Sequence, residues 1–429
     1  MPLKILATAD LHLGRKSSGV PLTDEASTHH TWNRLIDLAI QQQADILLLA
    51  GDIIDQDNRY YEAIGPLQSG FDRLEKNHVT VYLVTGNHDH DVLAQIMQQK
   101  SYKNIHHLGA DGNWEKALYT GNDQTIQFVG WSFPKQHVRE NPLKDFSRLS
   151  LDSNLTTIGL LHGEANNVES HYAPFELSDL TPTPVDTWIL GHIHKPWVLH
   201  ADQPYVAYPG SPHALDAGEK GPHGPLLMEV ENKNDIRIQS LALSPTRYEN
   251  LQVTIQASDD EAAVRDSITS ALLNEGMRLE PELEHVSYLV FDVYLTGEHS
   301  SLQELVAWTN RLSEDYQQDL ETGTRIRVRK LINQLQPAVE NLEELAANPS
   351  PAGKLAETIL AIQKNESTPF LDQLLEKWTT EYQRLNKSRT FQPLYTEKNR
   401  NHTNQQEARQ AILQECRQLL GKLLNQQEQ

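Results

Sequence analysis

Cysteine is nearly missing from this chain: Cys416 stands alone among 429 residues. An internal disulfide is therefore excluded, and a reducing cytoplasm is the expected setting. A lone cysteine in a helical tail reads as a small packing residue. Long apolar runs are also lacking, and no stretch reaches the roughly 20 residues that a membrane-spanning helix needs. The opening MPLKILATAD meets an acidic residue at Asp10, which leaves no room for a secretory leader. A cytoplasmic protein with no membrane association is expected. Positive charge is scarce, with 37 Lys and Arg against 58 Asp and Glu and a net charge of −21. That balance argues against a free-standing duplex-DNA binder, because phosphate contacts need a basic surface. It leaves room for nucleic acid as a substrate, since a metal site and a local basic patch can overcome the mean field.

What is present is an ordinary hydrophobic content of 38%, enough for a large core, and a length that suggests two or three domains. Early segments alternate between two patterns. LKILATAD (Leu3–Asp10), DILLLAGD (Asp45–Asp52) and VTVYLVTG (Val79–Gly86) are short apolar runs of the kind that form strands covered on both faces. Between them, Trp32, Leu35, Ile36, Ala39 and Ile40, and then Ile64, Leu67, Phe71 and Leu74, recur at helical spacing. Closely spaced strands follow at Ile126–Phe133, Thr157–Gly163, Thr187–His194 and Tyr205–Gly210. The pattern predicts an α/β fold with two sheets packed face to face and helices outside. It changes near residue 245. Residues 246–336 read as a small α+β unit, including a helix from Asp259 to Asn274 and another around Leu302–Leu312. Residues 337–429 read as a helical region with a hinge at ANPSPAG (Ala347–Gly353).

The chemistry gathers where the early strands stop. TADLH offers Asp10 and His12, AGDIID offers Asp52 and Asp55, and TGNHD offers Asn87, His88 and Asp89. LLHG adds His162, and LGHIH adds His192 and His194. Open α/β sheets place ligand sites beyond the carboxyl ends of strands, so these side chains are expected to converge. Asp10-x-His12 and His192-x-His194 each present two groups on one side of an extended segment. Imidazole with carboxylate and no thiolate suits Mn²⁺, Fe or Zn²⁺ better than Mg²⁺ or Ca²⁺. Two cations about 3.5–4 Å apart around a shared carboxylate would clamp phosphate oxygens and acidify water. Each cluster alone is no more than a turn; the five in series are the signal.

The series DxH, GDxxD, GNHD, H and GHxH resembles the calcineurin-like metallophosphoesterase superfamily. With YPGSPHALDAGEKGPHG (Tyr208–Gly224), it is similar to the SbcD/Mre-eleven DNA repair nucleases, in particular their YhaO-type branch. The likeness implies a four-layer α/β/β/α nuclease domain over residues 1–245, a capping domain over 246–336 and a partner-binding helical region over 337–429. It implies that Asp10, His12, Asp52 and His194 hold one cation, expected to be Mn²⁺. Asp52, Asn87, His162 and His192 would hold a second. His88 would protonate the leaving oxygen, oriented by Asp55, while Asp89 would fix its loop. It further implies DNA as substrate, pairing of two copies, and an SbcC-like coiled-coil ATPase docked on the C-terminal helices.

Other residues are candidates from the sequence itself. Arg15 follows the first ligand pair and could touch a backbone phosphate, as could Lys16. Arg325, Arg327 and Arg329 alternate along one strand and share a face. His213 and His223 fall near the presumed site, whereas His106 and His107 read as loop residues. Phe370, Leu371, Leu374, Leu375 and Trp378 form a stripe suited to docking in a partner's groove. The function expected is a metal-dependent DNA exonuclease or endonuclease. The alternatives are a phosphatase or phosphodiesterase for a small or nucleotide substrate, and a binding protein with a vestigial metal site.

Overall fold

The computed structural model describes residues 2–21, 23–58, 63–299, 305, 308, 316–338, 342–386 and 405–427. Its first strands form because their side chains alternate between two apolar surroundings. In β1 (Leu3–Thr8), β2 (Ile46–Ala50) and β3 (Thr80–Val84), the residues Leu3, Ile5, Ala7, Ile46, Leu48, Tyr82 and Val84 face one core. Leu6, Leu47, Leu49, Val81 and Leu83 face the other. This is the two-sided burial that continuous apolar runs foretell.

These strands pair in parallel, and β4 (Ile105–His107) continues the sheet beyond β3. On the other flank, β11 (Leu226–Asn232) runs antiparallel to β1, with β12 (Asp235–Ser240) at the edge. A second six-stranded sheet runs in the order β5 (Glu115–Gly121), β6 (Gln124–Trp131), β7 (Thr156–His162), β8 (Thr187–Gly191), β10 (Tyr205–Tyr208), β9 (Trp197–His200). Ile126, Phe128, Ile158, Leu160, Ile189 and Ala207 meet the first sheet's inner face. His106 and His107 are therefore strand residues and not loop residues; the apolar support of His106 is Tyr82, stacked on its ring at 4.8 Å.

Helices α1 (Thr28–Gln41), α2 (Ile64–Lys76) and α3 (Val92–Gln99) cover the first sheet with the apolar stripes that helical spacing predicts. The hydroxyl of Ser27 caps α1 by accepting from His30 N at 3.1 Å. The fourth layer is thin. Trp131, Phe133 and Trp188 on the second sheet's outer side are covered by a 3₁₀ segment, Pro142–Arg148, which contributes Leu143 and Phe146, and by a single helical turn, Leu177–Leu180.

The chain divides into two compact units. One comprises Met1–Asn250, Leu273–Asp292 and Tyr316–Arg329; the other comprises Leu251–Leu272, Val293–Asp315 and Lys330–Gln429. Strands Thr246–Ile255, Tyr288–His299 and Arg325–Asn333 each begin in the first unit and end in the second, whereas the sequence suggests cuts at residues 245 and 336. The helix expected from Asp259 spans Glu261–Leu279. The one expected around Leu302–Leu312 falls, apart from Leu305 and Trp308, outside the described residues.

In the second unit, helices Pro351–Gln363, Pro369–Asn386 and Gln405–Gln427 enclose a core of Ala356, Ile359, Leu371, Ile412, Cys416 and Leu420. Leu374, Leu375 and Trp378 pack against it. Of the stripe that looked open for a partner, Leu371, Leu374, Leu375 and Trp378 therefore face the tail's own core.

Packing between β7 and β8 tolerates no extra atom: a Cβ at Gly159 would run into the Trp188 ring. Gly159→Ala should lower stability by about 1–3 kcal/mol through overpacking. Urea unfolding measures this, and an unchanged midpoint would mean that the indole can yield.

Candidate metal centre

Five strands deliver the expected residues: β1 to Asp10 and His12, β2 to Asp52, β3 to Asn87 and His88, β7 to His162, β8 to His192 and His194. The pairs do not converge by lying on extended backbone, as simple alternation suggests. Asp10, His12, Asp52 and His192 have φ of 52°, 43°, 49° and 103°, in the left-handed region that side chains other than glycine seldom occupy. Such strain persists only where surrounding bonds over-determine it. Here the first two loops are laced together: Asp10 N donates to Gly51 O at 3.0 Å, His12 N to Asp52 O at 3.0 Å and Leu13 N to Ile53 O at 2.9 Å. Gly86 and Gly191 allow the remaining close approaches, since a Cβ would strike the Asp52 carboxylate at the first and the Ala50 carbonyl at the second.

The side chains meet around Asp52. Its Oδ2 lies 3.4 Å from His162 Nε2 and 3.8 Å from His12 Nε2. His12 Nε2 is 3.0 Å from His194 Nε2, and His162 Nε2 is 3.2 Å from Asn87 Oδ1. The Nδ1 atoms of these three imidazoles point elsewhere: His12 to Asp55 Oδ1 at 3.2 Å, His194 to Glu219 Oε1 at 2.7 Å, His162 to Ala50 O at 3.0 Å. With each Nδ1 engaged outward, the Nε2 atoms face inward, the usual preparation of a histidine ligand. Asp10 accepts the His192 N–H at 3.0 and 3.1 Å. Ligand-competent atoms of Asp10, His12 and His194 lie within 4.8 Å of one another, as do those of Asp10, Asp52 and His162, and those of His12, Asp55 and His88.

This donor set fits divalent cations. Asp10, His12, Asp52 and His162 are buried, and among the described residues no lysine or arginine bridges either carboxylate. A buried charge needs a counter-charge or full hydrogen bonding. Burial would raise the Asp52 carboxyl, but His162, then His12 and His88, hold it well below the usual carboxylate range. Burial likewise opposes a proton on His162, yet Asp52 raises that imidazole to about 9. A proton on His162 thus stands in for part of the positive charge that cations would supply.

His192 is the outlying member. Its Nε2 is 3.7 Å from Glu164 Oε2, and its ring centroid is 5.4 Å from that of His162. His88 is partly open, and its pKa is lowered, chiefly by burial. Its Nδ1 accepts from Gln56 N at 3.3 Å and stands 3.7 Å from Asp55 Oδ1. The neutral ring and the protonated ring therefore each have a partner. Asp55 lies nearer His12 than His88, so the expected orienting role extends to both rings. Asp89 pins the loop, accepting from Gly86 N at 2.8 Å and Ile53 N at 2.7 Å.

Arg15, with Lys16, Ser17, His29 and His30, lines a cavity of about 580 Å³ beside the loop that follows His12. Arg325 donates to Tyr288 OH at 2.7 Å, and Arg329 forks onto Asp292 at 2.9 and 2.5 Å. Arg327 alternates with buried Ile326 and Val328, which keeps all three arginines on one face of their strand. His213 and His223 are buried; His213 bonds Ser17 Oγ and Thr31 Oγ1, each at 2.6 Å. Sequence reasoning missed Glu219 and Glu164. Glu219 falls within the Tyr208–Gly224 segment, but no local spacing ties it to His194.

The calcineurin-like phosphoesterase family model matches residues 3–196. The chain is 31% identical over 276 residues to the uncharacterized metallophosphoesterase YhaO of Bacillus subtilis, covering 60% of this chain and 67% of that one. It is 22% identical over 310 residues to the SbcD subunit of the nuclease SbcCD from Staphylococcus saprophyticus, covering 67% and 80%. It is 26% identical over 312 residues to the DNA double-strand break repair protein Mre11 of Methanosarcina mazei, covering 70% of this chain but 46% of that one. No described helix is long and apolar enough to cross a membrane. On these likenesses the chain belongs to the calcineurin-like phosphoesterase family, in its SbcD/Mre11-type branch, and is a metal-dependent phosphoester hydrolase.

Proposed function

We propose that the protein is a Mn²⁺-dependent DNA nuclease that hydrolyses phosphodiester bonds, acting with an SbcC-like coiled-coil ATPase in DNA repair or defence. The observation that carries this reading is the meeting of buried Asp10, His12, Asp52 and His162 with the half-buried His194 at strand ends, and the partly open His88 beside it. Asp10, His12, Asp52 and His194 would hold one cation, and Asp52, Asn87, His162 and His192 the other. Mixed nitrogen and oxygen donors without sulfur suit Mn²⁺, Fe or Zn²⁺, and the resemblance to the SbcD/Mre11-type nucleases supports Mn²⁺ among them. Cations held there would neutralise phosphate charge and activate water.

The chain's own residues do the rest. His88 moves a proton to the leaving oxygen, Asp55 aligns His88 and His12, and Asp89 keeps the loop between them rigid. Arg15 and Lys16 bring positive charge to the edge of the site, which supports a polyanionic substrate in a chain of net charge −21. Arg325 lies 3.9 Å from Glu25 and Arg329 is engaged with Asp292, so Arg327 is the member of that face proposed to extend the charge. The names of the relatives, a nuclease component and a break-repair protein, support DNA and a larger assembly. The ATPase would dock on the helical region, away from the face that its own core occupies.

Purified protein with Mn²⁺ should degrade linear or hairpin DNA. Activity confined to a small chromogenic phosphodiester would favour the small-substrate alternative. His88→Ala should slow turnover by about 10²–10⁴-fold with Mn²⁺ binding intact, the size of a lost general acid; equal loss of metal would remove His88 from that role. Asp52→Ala should abolish binding of both cations in a calorimetric titration, and one retained ion would show that Asp52 does not bridge. Mn²⁺ affinity should also rise with pH toward about 9, because the proton on His162 competes with the cation below its folded pKa. An affinity that is flat with pH would contradict this competition.

A further inference from the structure

Behind the imidazoles stand carboxylates that differ from one side of the site to the other. Glu219 is buried, and its Oε1 takes His194 Nδ1 at 2.7 Å. Its Oε2 accepts from Ser211 Oγ at 3.0 Å and Leu215 N at 2.8 Å. Ser211 N in turn donates to His194 O at 2.8 Å, closing a ring of bonds around that histidine. On the other side, Glu164 approaches His192 Nε2 at 3.7 Å and is itself held by Ser170 Oγ at 2.5 Å and Asn167 Nδ2 at 2.9 Å. The Glu164 side chain is 26% exposed, against 9% for Glu219. The remaining imidazole on that side, His162, rests on the neutral Ala50 carbonyl.

We propose that Glu219 is the positioning residue of His194 and Glu164 that of His192, so that the two cation positions answer to separate carboxylates. Glu219 fixes the His194 proton on Nδ1, turns Nε2 toward His12 and Asp10, and adds a buried negative charge behind the ligand. Asp55 does the same for His12. The position formed by Asp10, His12 and His194 thus has two anionic supports with little solvent screening. The position near His162 and His192 has one, more exposed and more distant. The first should bind its cation more tightly, and the second should exchange. This inference rests on the two-cation reading above.

The test is calorimetric titration of metal-free full-length protein with Mn²⁺, paired with thermal melts. The unmodified protein should show two unequal sites. Glu219→Gln should weaken the tighter one about 10–100-fold, the usual effect of losing such a support, and leave the other within twofold. Glu164→Gln should weaken the looser one, and the double variant should combine both losses. Glu219→Asp should restore part of the tight site where Glu219→Ala does not. If either Gln variant binds Mn²⁺ as the unmodified protein does, or weakens both sites alike with an unchanged melt, the assignment is wrong. Should Glu219→Gln fail to fold, the more exposed Glu164→Gln still decides: weakening of the tighter site, or of neither, overturns the proposal. Failure of the unmodified protein to take up two Mn²⁺ would instead overturn the two-cation reading. Two-site binding without DNA cleavage would count against the nuclease reading alone.

Discussion

The burial of Asp52 governs this structure. A carboxylate inside a protein with no lysine or arginine beside it is costly unless something else supplies positive charge and hydrogen bonds. Here the supply is assembled from several places: the His162 and His12 imidazoles, and the backbone N–H of His88 at 2.8 Å. Each comes from a different strand end. The loops must accordingly approach within hydrogen-bond reach, which explains the lacing of the first two loops, the glycines at the closest passes and the left-handed backbone at the acidic and imidazole positions. A local polar requirement thus constrains the packing of both sheets.

Much of the catalytic unit was legible in the sequence because burial on both faces leaves an obvious mark. Leu3–Thr8, Ile46–Ala50 and Thr80–Val84 could hardly be anything but covered strands, and the polar clusters at their tips could be located by reading to the end of each run. Strand Glu115–Gly121, with exposed and half-exposed residues in alternation, carries no such mark, and neither do the edge strands around residues 197 and 235. The left-handed turns were invisible because tertiary hydrogen bonds impose them, and the tolerance of Asp and His for that region does not mark which positions adopt it. Glu219 was hidden for a related reason: its link to His194 spans 25 residues and exists only once the intervening loop folds back.

The same contrast applies to charged and apolar surfaces. A stripe of arginines or of leucines can be read from spacing, but spacing does not say what the stripe faces. Arg329 is matched by Asp292, and Leu371 lies in the core of its own helical unit. Net charge misleads in the same way. The acidic mean coexists with a cavity wall that includes Arg15, Lys16, His29 and His30.

The two sheets contribute to the centre in nearly equal parts: Asp10, His12, Asp52 and Asn87 follow strands of the first, while His162, His192 and His194 end or follow strands of the second. A folding intermediate with only one sheet formed would hold half a coordination sphere and little grip on any ion. An ion that needs ligands from both halves would accordingly be held only where the two layers have closed. Any ion so captured would favour the closed state by mass action and oppose the sliding apart of the layers, serving as a latch on a finished fold and not as a template for its formation.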